Sequence, residues 1–146
     1  MDSQKEFNKV MKNEKSQKLW KEYLNSINWK EFLRQCDEIP YAIETFLELQ
    51  KLKILKGFII RIHSFEEGRE KLKLLREKGI VVPIYYVGPD DNKSSIYIPN
   101  KKTILLDDQR ANIIDWKNNG GRTIIYDPVA SEDNDEIIKE MDHLLL

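Results

Sequence analysis

A run of apolar and β-branched residues, Thr103–Leu106, ends abruptly in two adjacent carboxylates, Asp107 and Asp108. Asp108 has an ordinary explanation. It precedes a helix expected from Gln109, where a carboxylate accepts free N–H groups and meets the positive end of the dipole. Asp107 has none, because a second carboxylate beside the first adds like-charge repulsion. A bound cation, such as the metal of a phosphoryl site, relieves that repulsion; turn chemistry is the competing account. The chain holds one cysteine, Cys36, and two histidines, His63 and His143. Those counts rule out an intrachain disulfide and any multi-cysteine or histidine-rich metal site. A metal at the pair is therefore expected on oxygen ligands, which select Mg2+ or a similar hard cation. His63 reads as a core or surface histidine in preference to an acid or base. Asp90 and Asp91 read as loop residues.

These groups need elements to position them. From Ser16 to Cys36, Leu19, Trp20, Tyr23, Leu24, Ile27, Trp29, Phe32 and Leu33 fall mostly at i, i+3, i+4 spacing. The spacing predicts one or two helices, broken near Asn25–Asn28. Pro40 opens a helix over Tyr41–Leu52. The strand GFIIRIHS ends at Ser64, the helix EEGREKLKLLREKG closes at Gly79, and VVPIYYVG supplies a second strand. After the loop GPDDNKSS come an extended SIYI and the strand TILLDD. A helix over Gln109–Asn118, a turn at Gly120–Gly121 and the strand RTIIYD follow. A final amphipathic helix is expected from Asp133 to Leu145. Strands alternating with helices imply parallel pairing through crossovers. The fold class is α/β, a doubly wound sandwich whose ligands sit at the carboxyl ends of the strands. Asp107, Asp108 and Ser64 all lie at that edge.

The order IPYAIETFLELQ, GFIIRIHSFEEGREKLKLLREKGI, then KTILLDDQRANIIDWKNNGGRTIIYDP resembles haloacid dehalogenase (HAD) superfamily phosphatases. The nearest pattern is that of the small deoxynucleotidase-like members, and it covers Ser16 to Pro128. The resemblance implies a three-layer sandwich with a mostly parallel Rossmann-like sheet. A small helical cap would occupy 16–38 and the core 39–146. It also implies that Asp107 and Asp108 hold Mg2+ and that Ser64 binds the transferring phosphate. Lys93, ahead of Lys102, would neutralise that phosphate. The residues by themselves read differently, Ser64 as a helix cap and Lys93 as a solvated side chain.

At one motif the chain departs from the family. The family begins with an apolar strand ending in D-x-D-x-T or D-x-D-x-V, which supplies the nucleophilic aspartate and the general acid. No such run stands before Ser16. In the family's sheet that strand is central, between those corresponding to GFIIRIHS and TILLDD. Transfer through an acyl-phosphate needs a carboxylate in line with phosphorus. The expectation is therefore a Mg2+ and phosphate half-site with no nucleophile, a pseudoenzyme or an incomplete enzyme. Either GFIIRIHS pairs directly with TILLDD or another chain fills the gap.

Bulk properties bound the alternatives. With 24 basic and 25 acidic residues and a net charge of −1, the chain is no general nucleic-acid binder. No apolar run approaches the ~20 residues of a membrane span, and MDSQKEFNKV lacks the apolar core of a signal peptide. A cytoplasmic protein with no membrane partner is expected. Residues 1–15 read as a polar, flexible N-terminus and residues 16–146 as one domain. Trp20, Trp29 and Trp116 read as core or interface anchors. The absence of G-x-G-x-x-G, G-x-x-x-x-G-K-[ST] and G-x-S-x-G excludes glycine-loop nucleotide sites and a nucleophile elbow. The expected ligand is a phosphorylated small molecule or nucleotide. Two other readings stay open. One is an active Mg2+-dependent phosphomonoesterase whose motif lies upstream or is replaced. The other is a non-catalytic α/β interaction domain, homodimeric through Ser16–Cys36.

Overall fold

A computed structural model of the chain describes residues 18–19, 22–23, 26–36, 39–130 and 133–145. Residues 1–15, expected to be flexible, lie outside these, as does Trp20. Lys18, Leu19, Glu22, Tyr23 and Ser26 are helical, Ile27 and Asn28 are not, and helix α1 runs Trp29–Gln35. The break falls where expected because Asn28 caps the new helix, its Oδ1 accepting from Glu31 N at 3.3 Å. Next come α2 (Ala42–Lys51), β1 (Phe58–Arg61), α3 (Phe65–Glu77) and β2 (Ile84–Val87). A 3-10 turn (Lys93–Ser95), β3 (Ile104–Asp107), α4 (Arg110–Asn118) and β4 (Arg122–Tyr126) follow. The last elements are β5 (Ile137–Ile138) and a second 3-10 turn (Met141–Leu145).

The class is mixed α/β with short parallel strands. β1 pairs β2 from Phe58 opposite Ile84 to Arg61 opposite Val87, and β3 pairs β4 from Ile104 opposite Arg122 to Asp107 opposite Ile125. Each pair is joined through a helix, α3 or α4, as parallel strands require. Gly120, at φ +94°, turns α4 into β4. Its neighbour Gly121 is bare for another reason: a Cβ there would overlap the Trp116 indole and stand 2.8 Å from Pro99 Cβ. The glycine pair is thus explained by turning and packing.

The five strands do not make one sheet. β1 and β2 form a two-stranded sheet, while β3, β4 and β5 form a three-stranded one. The direct pairing of GFIIRIHS with TILLDD does not occur. Phe58 N and Ile62 N donate to Pro83 O and Val87 O, and Arg122 N donates to Thr103 O. By strand alternation, Ile59 and Arg61 then turn their backbone groups away from β2, and Ile104 and Leu106 turn theirs away from β4. Among the described residues no strand pairs with these groups, so each sheet keeps an open edge there.

Two expected elements are replaced. The helix expected over Asp133–Leu145 is instead β5 followed by a 3-10 turn. Asn134 Oδ1 accepts from Glu136 N, and Asp133 Oδ1 from Lys139 N, each at 2.8 Å. Such side-chain bonds offer the backbone an alternative to helix. Ile137 and Ile138 then pair with β4, whose Ile125 N and Asp127 N donate to Glu136 O and Ile138 O at 2.8 Å. The extended SIYI is likewise a turn, in which Ile96 N donates to Lys93 O at 3.3 Å. Ala42, Ile138 and Met141 form a core cluster against Phe46, Leu106, Ile124, Tyr126 and Leu144, which fastens α2 and the C-terminal turn to the larger sheet. Trp29 and Trp116 are buried, as expected of core anchors. Among the described residues no helix is long and apolar enough to cross a membrane.

Candidate functional site

β3 carries Asp107 to its carboxyl end, where the residue is 8% exposed. Its carboxylate is fully engaged. Oδ1 accepts from Gln109 N at 2.9 Å, and Oδ2 accepts from Lys93 Nζ at 2.7 Å and Asn112 Nδ2 at 3.1 Å. The expected division of labour is therefore reversed. Asp107, not Asp108, takes the free N–H at the start of α4, and Asp108 lies exposed beside it. Partial desolvation, then proton sharing with Asp107 and its charge, push the Asp108 carboxyl above the usual range. Its own backbone N–H and the Lys93 charge pull the other way without prevailing.

Lys93 is not solvated. Its side chain is 13% exposed, and the 3-10 turn that bears it is anchored to α4. Ser94 Oγ donates to Asp115 Oδ1 at 3.0 Å, and Ser94 N to Asp115 Oδ2 at 3.3 Å. Arg61 ties the two sheets together at the same end. Its Nη1 donates to Gly88 O at 2.9 Å and Asp91 O at 2.5 Å, while Nη2 donates to Asn112 Oδ1 at 3.1 Å. Asn112 in turn donates to Asp107, so one polar chain runs from β1 through α4 to the end of β3. Lys102 takes no part; it is exposed, and its backbone N–H bonds Asn100 Oδ1. Asp91 is a loop residue, as expected, closing its turn by accepting from Gly88 N.

Ser64 belongs to a different group. Its Oγ accepts from Glu67 N at 3.1 Å and so caps α3. Glu67, 2% exposed, accepts from His63 N at 2.8 Å, faces His63 Nδ1 at 3.1 Å and takes Lys71 Nζ at 2.5 Å. Burial pushes the Glu67 carboxyl up, but Lys71 and His63 together outweigh it and hold the group below its ordinary range. Lys71 also lies over the Trp29 ring, 5.4 Å from its centroid. No hydrogen bond among the described residues joins Ser64 to Asp107.

The fold thus brings Lys93, Asp107 and Asp108 together and leaves Ser64 with its helix. Arg61, Asn112 and Asp115 support the site without having been picked out. Asn112 and Asp115 stand at i, i+3 on the helix after the acidic pair, and Arg61 is the one charge in FIIRI. Those patterns were the available signals. Comparison with models of protein families, with curated proteins and with solved structures finds no match to this chain.

Chemically, the strand end presents two carboxylates and an ammonium within one hydrogen-bonded set. The donor types fit a hard cation: Asp107 and Asp108 disfavour each other's charge, and a divalent ion would lower the energy of both. A cation ligating Asp107 would displace Lys93, freeing its ammonium for an anion.

Proposed function

We propose that this chain is a haloacid dehalogenase-like domain, built as a three-layer sandwich, that binds Mg2+ and a phosphorylated small molecule or nucleotide without hydrolysing it. The observation that carries the reading is the buried contact of Lys93 Nζ with Asp107 Oδ2 at 2.7 Å, at the carboxyl end of β3 beside Asp108. Asp107 and Asp108 would hold the ion, and Lys93 would turn from Asp107 to the phosphate oxygens. The ion would supply charge neutralisation for those oxygens. Turnover is not part of the proposal. Asp107 is engaged by three donors, and a carboxylate so held is a poor nucleophile. The break between β1 and β3, where the family's D-x-D strand would run, supports the same conclusion.

The test is Mg2+ titration by calorimetry, alone and with inorganic phosphate, beside an assay of nucleoside monophosphate and aryl phosphate hydrolysis. Mg2+ affinity lost in Asp107→Asn, with no hydrolysis, is the expected result. Absence of Mg2+ affinity in the wild type sinks the proposal, and Mg2+-dependent hydrolysis abolished by Asp107→Asn makes the chain a live phosphomonoesterase.

The open edges of β1 and β3 favour a second reading, an α/β interaction domain that takes an extended strand from another chain. A homodimer in solution whose interface maps to these strands would support it. A monomer that binds Mg2+ would favour the first reading.

A further inference from the structure

A second set of ligating groups gathers on the C-terminal turn. Glu140, Asp142 and His143 each offer one donor atom, and these atoms lie within 4.8 Å of one another. His143 Nε2 stands 3.9 Å from Glu140 Oε2. That is too long for a hydrogen bond, yet within the span of two ligands on one ion, whose bonds are each about 2.0–2.2 Å. At the other ring nitrogen, Asp133 Oδ2 lies in ion-pair contact with His143 Nδ1. Asp133 is itself fixed, its Oδ1 accepting from Lys139 N at 2.8 Å. The Nδ1 nitrogen is buried and accepts or donates no hydrogen bond, so a metal can take an imidazole nitrogen of His143 without displacing a hydrogen-bond partner from Nδ1.

Two orphaned polar atoms belong to the cluster itself. Asp142 Oδ1 and His143 Nδ1 are each buried without a hydrogen-bond partner. Asp142 also lines a cavity of about 500 Å³ together with Tyr41, Glu44, Thr45 and Glu48. Thr45 is 1% exposed, and its Oγ1 has no partner either. A buried hydroxyl left unpaired costs about 1–3 kcal/mol, and folded proteins answer such groups with water, an ion or a ligand. No lysine or arginine pairs with Glu140 or Asp142 among the described residues, and the basic group beside Glu140 is the His143 ring. These groups are independent of the Asp107 site, sharing no residue or hydrogen bond with it.

We propose that Glu140, Asp142 and His143 bind a divalent transition-metal ion. One imidazole nitrogen with two carboxylates suits an ion of the Zn2+ class, whereas Mg2+ takes oxygen alone. The bound ion draws Glu140 and Asp142 together on the turn that packs against α2.

The experiment titrates chelator-treated protein with Zn2+ calorimetrically and with Co2+ by visible absorption. One ion per chain is expected, with a Co2+ ligand-field band. His143→Gln and Asp142→Asn should each weaken binding at least tenfold and remove the band. Asp107→Asn should leave Zn2+ binding unchanged. Where the buried variants fail to fold, Glu140→Gln serves, since that side chain is 60% exposed. No Zn2+ binding by the wild type overturns the proposal. So does binding undiminished in His143→Gln and Glu140→Gln, which would assign the ion to other groups.

Discussion

Replacing Lys93 with methionine probes the acidic strand end most directly. The Lys93 side chain is 13% exposed and that of Asp107 5%, and the two charges meet at 2.7 Å. Methionine keeps much of the aliphatic volume and removes the charge, leaving Asp107 with Asn112 Nδ2 and Gln109 N. Breaking a buried pair by deleting one partner costs about 3–5 kcal/mol. The two remaining donors recover part of that, so the expected loss is about 2–3 kcal/mol. At about 3–4 °C per kcal/mol for a chain of this size, Tm falls by roughly 6–12 °C. Mg2+ should then restore the variant. Without the ammonium, Asp107 and Asp108 form an unneutralised pair, and a ligand at 100 times its Kd returns about 2.7 kcal/mol. The assay is thermal unfolding followed by circular dichroism, in chelator, in Mg2+, and in Mg2+ with inorganic phosphate. Wild type should gain most from Mg2+ with phosphate, where Lys93 has an anion to meet, and Lys93→Met should gain from Mg2+ alone. A loss below about 0.5 kcal/mol in chelator, the scale of a surface pair, refutes the buried contact. A variant Tm that Mg2+ does not move refutes the metal reading.

Glu67→Gln should cost about 1–3 kcal/mol, because the residue is 2% exposed and its partners are Lys71, His63 N and the His63 ring. The folded pKa lies below the ordinary 4.5. Its contribution is therefore full above that value and is lost as pH falls through the folded pKa. Denaturation across that acid range should show the wild-type advantage shrinking, and a constant difference would contradict the assignment. Gly121→Ala should cost about 1–3 kcal/mol by overpacking Trp116 and Pro99. Tryptophan fluorescence during chemical denaturation reads it, and a neutral substitution would mean the turn yields freely. Arg61→Lys should loosen the join between the sheets, since an ammonium cannot fork to both Gly88 O and Asn112 Oδ1. Faster hydrogen exchange over 88–91 at a loss of about 1–3 kcal/mol is expected; unchanged exchange there would show that the bridge holds nothing.

Local signals account for what was legible. Apolar runs ending in Ser64 and Asp107 and helical spacing over 65–77 and 110–118 located four strands and their crossovers. Asn28 and Gly120 marked their turns because one caps and the other adopts a positive φ. What stayed hidden depends on partners far along the chain. Lys93 sits in DDNKSS, a setting that reads as solvated. Its burial comes from Asp107 and from the hold of Asp115, twenty-one residues beyond Ser94, on the turn. The expected C-terminal helix failed because its amphipathic spacing competed with Asp133 and Asn134, which bond the backbone ahead of them, and with β4, which takes Ile137 and Ile138 as a strand. The same failure created the His143 cluster. A helix would place Glu140 and His143 one turn apart at i, i+3 and leave Asp133 at the far end of the segment. The strand and turn instead fold the chain back so that Asp133 reaches the His143 ring. The break between β1 and β3 is of the same kind. Each strand carries a correct local pattern, and nothing in a strand's own residues states which neighbour it lacks. The pattern fixes which face is buried, while pairing is decided by the whole sheet.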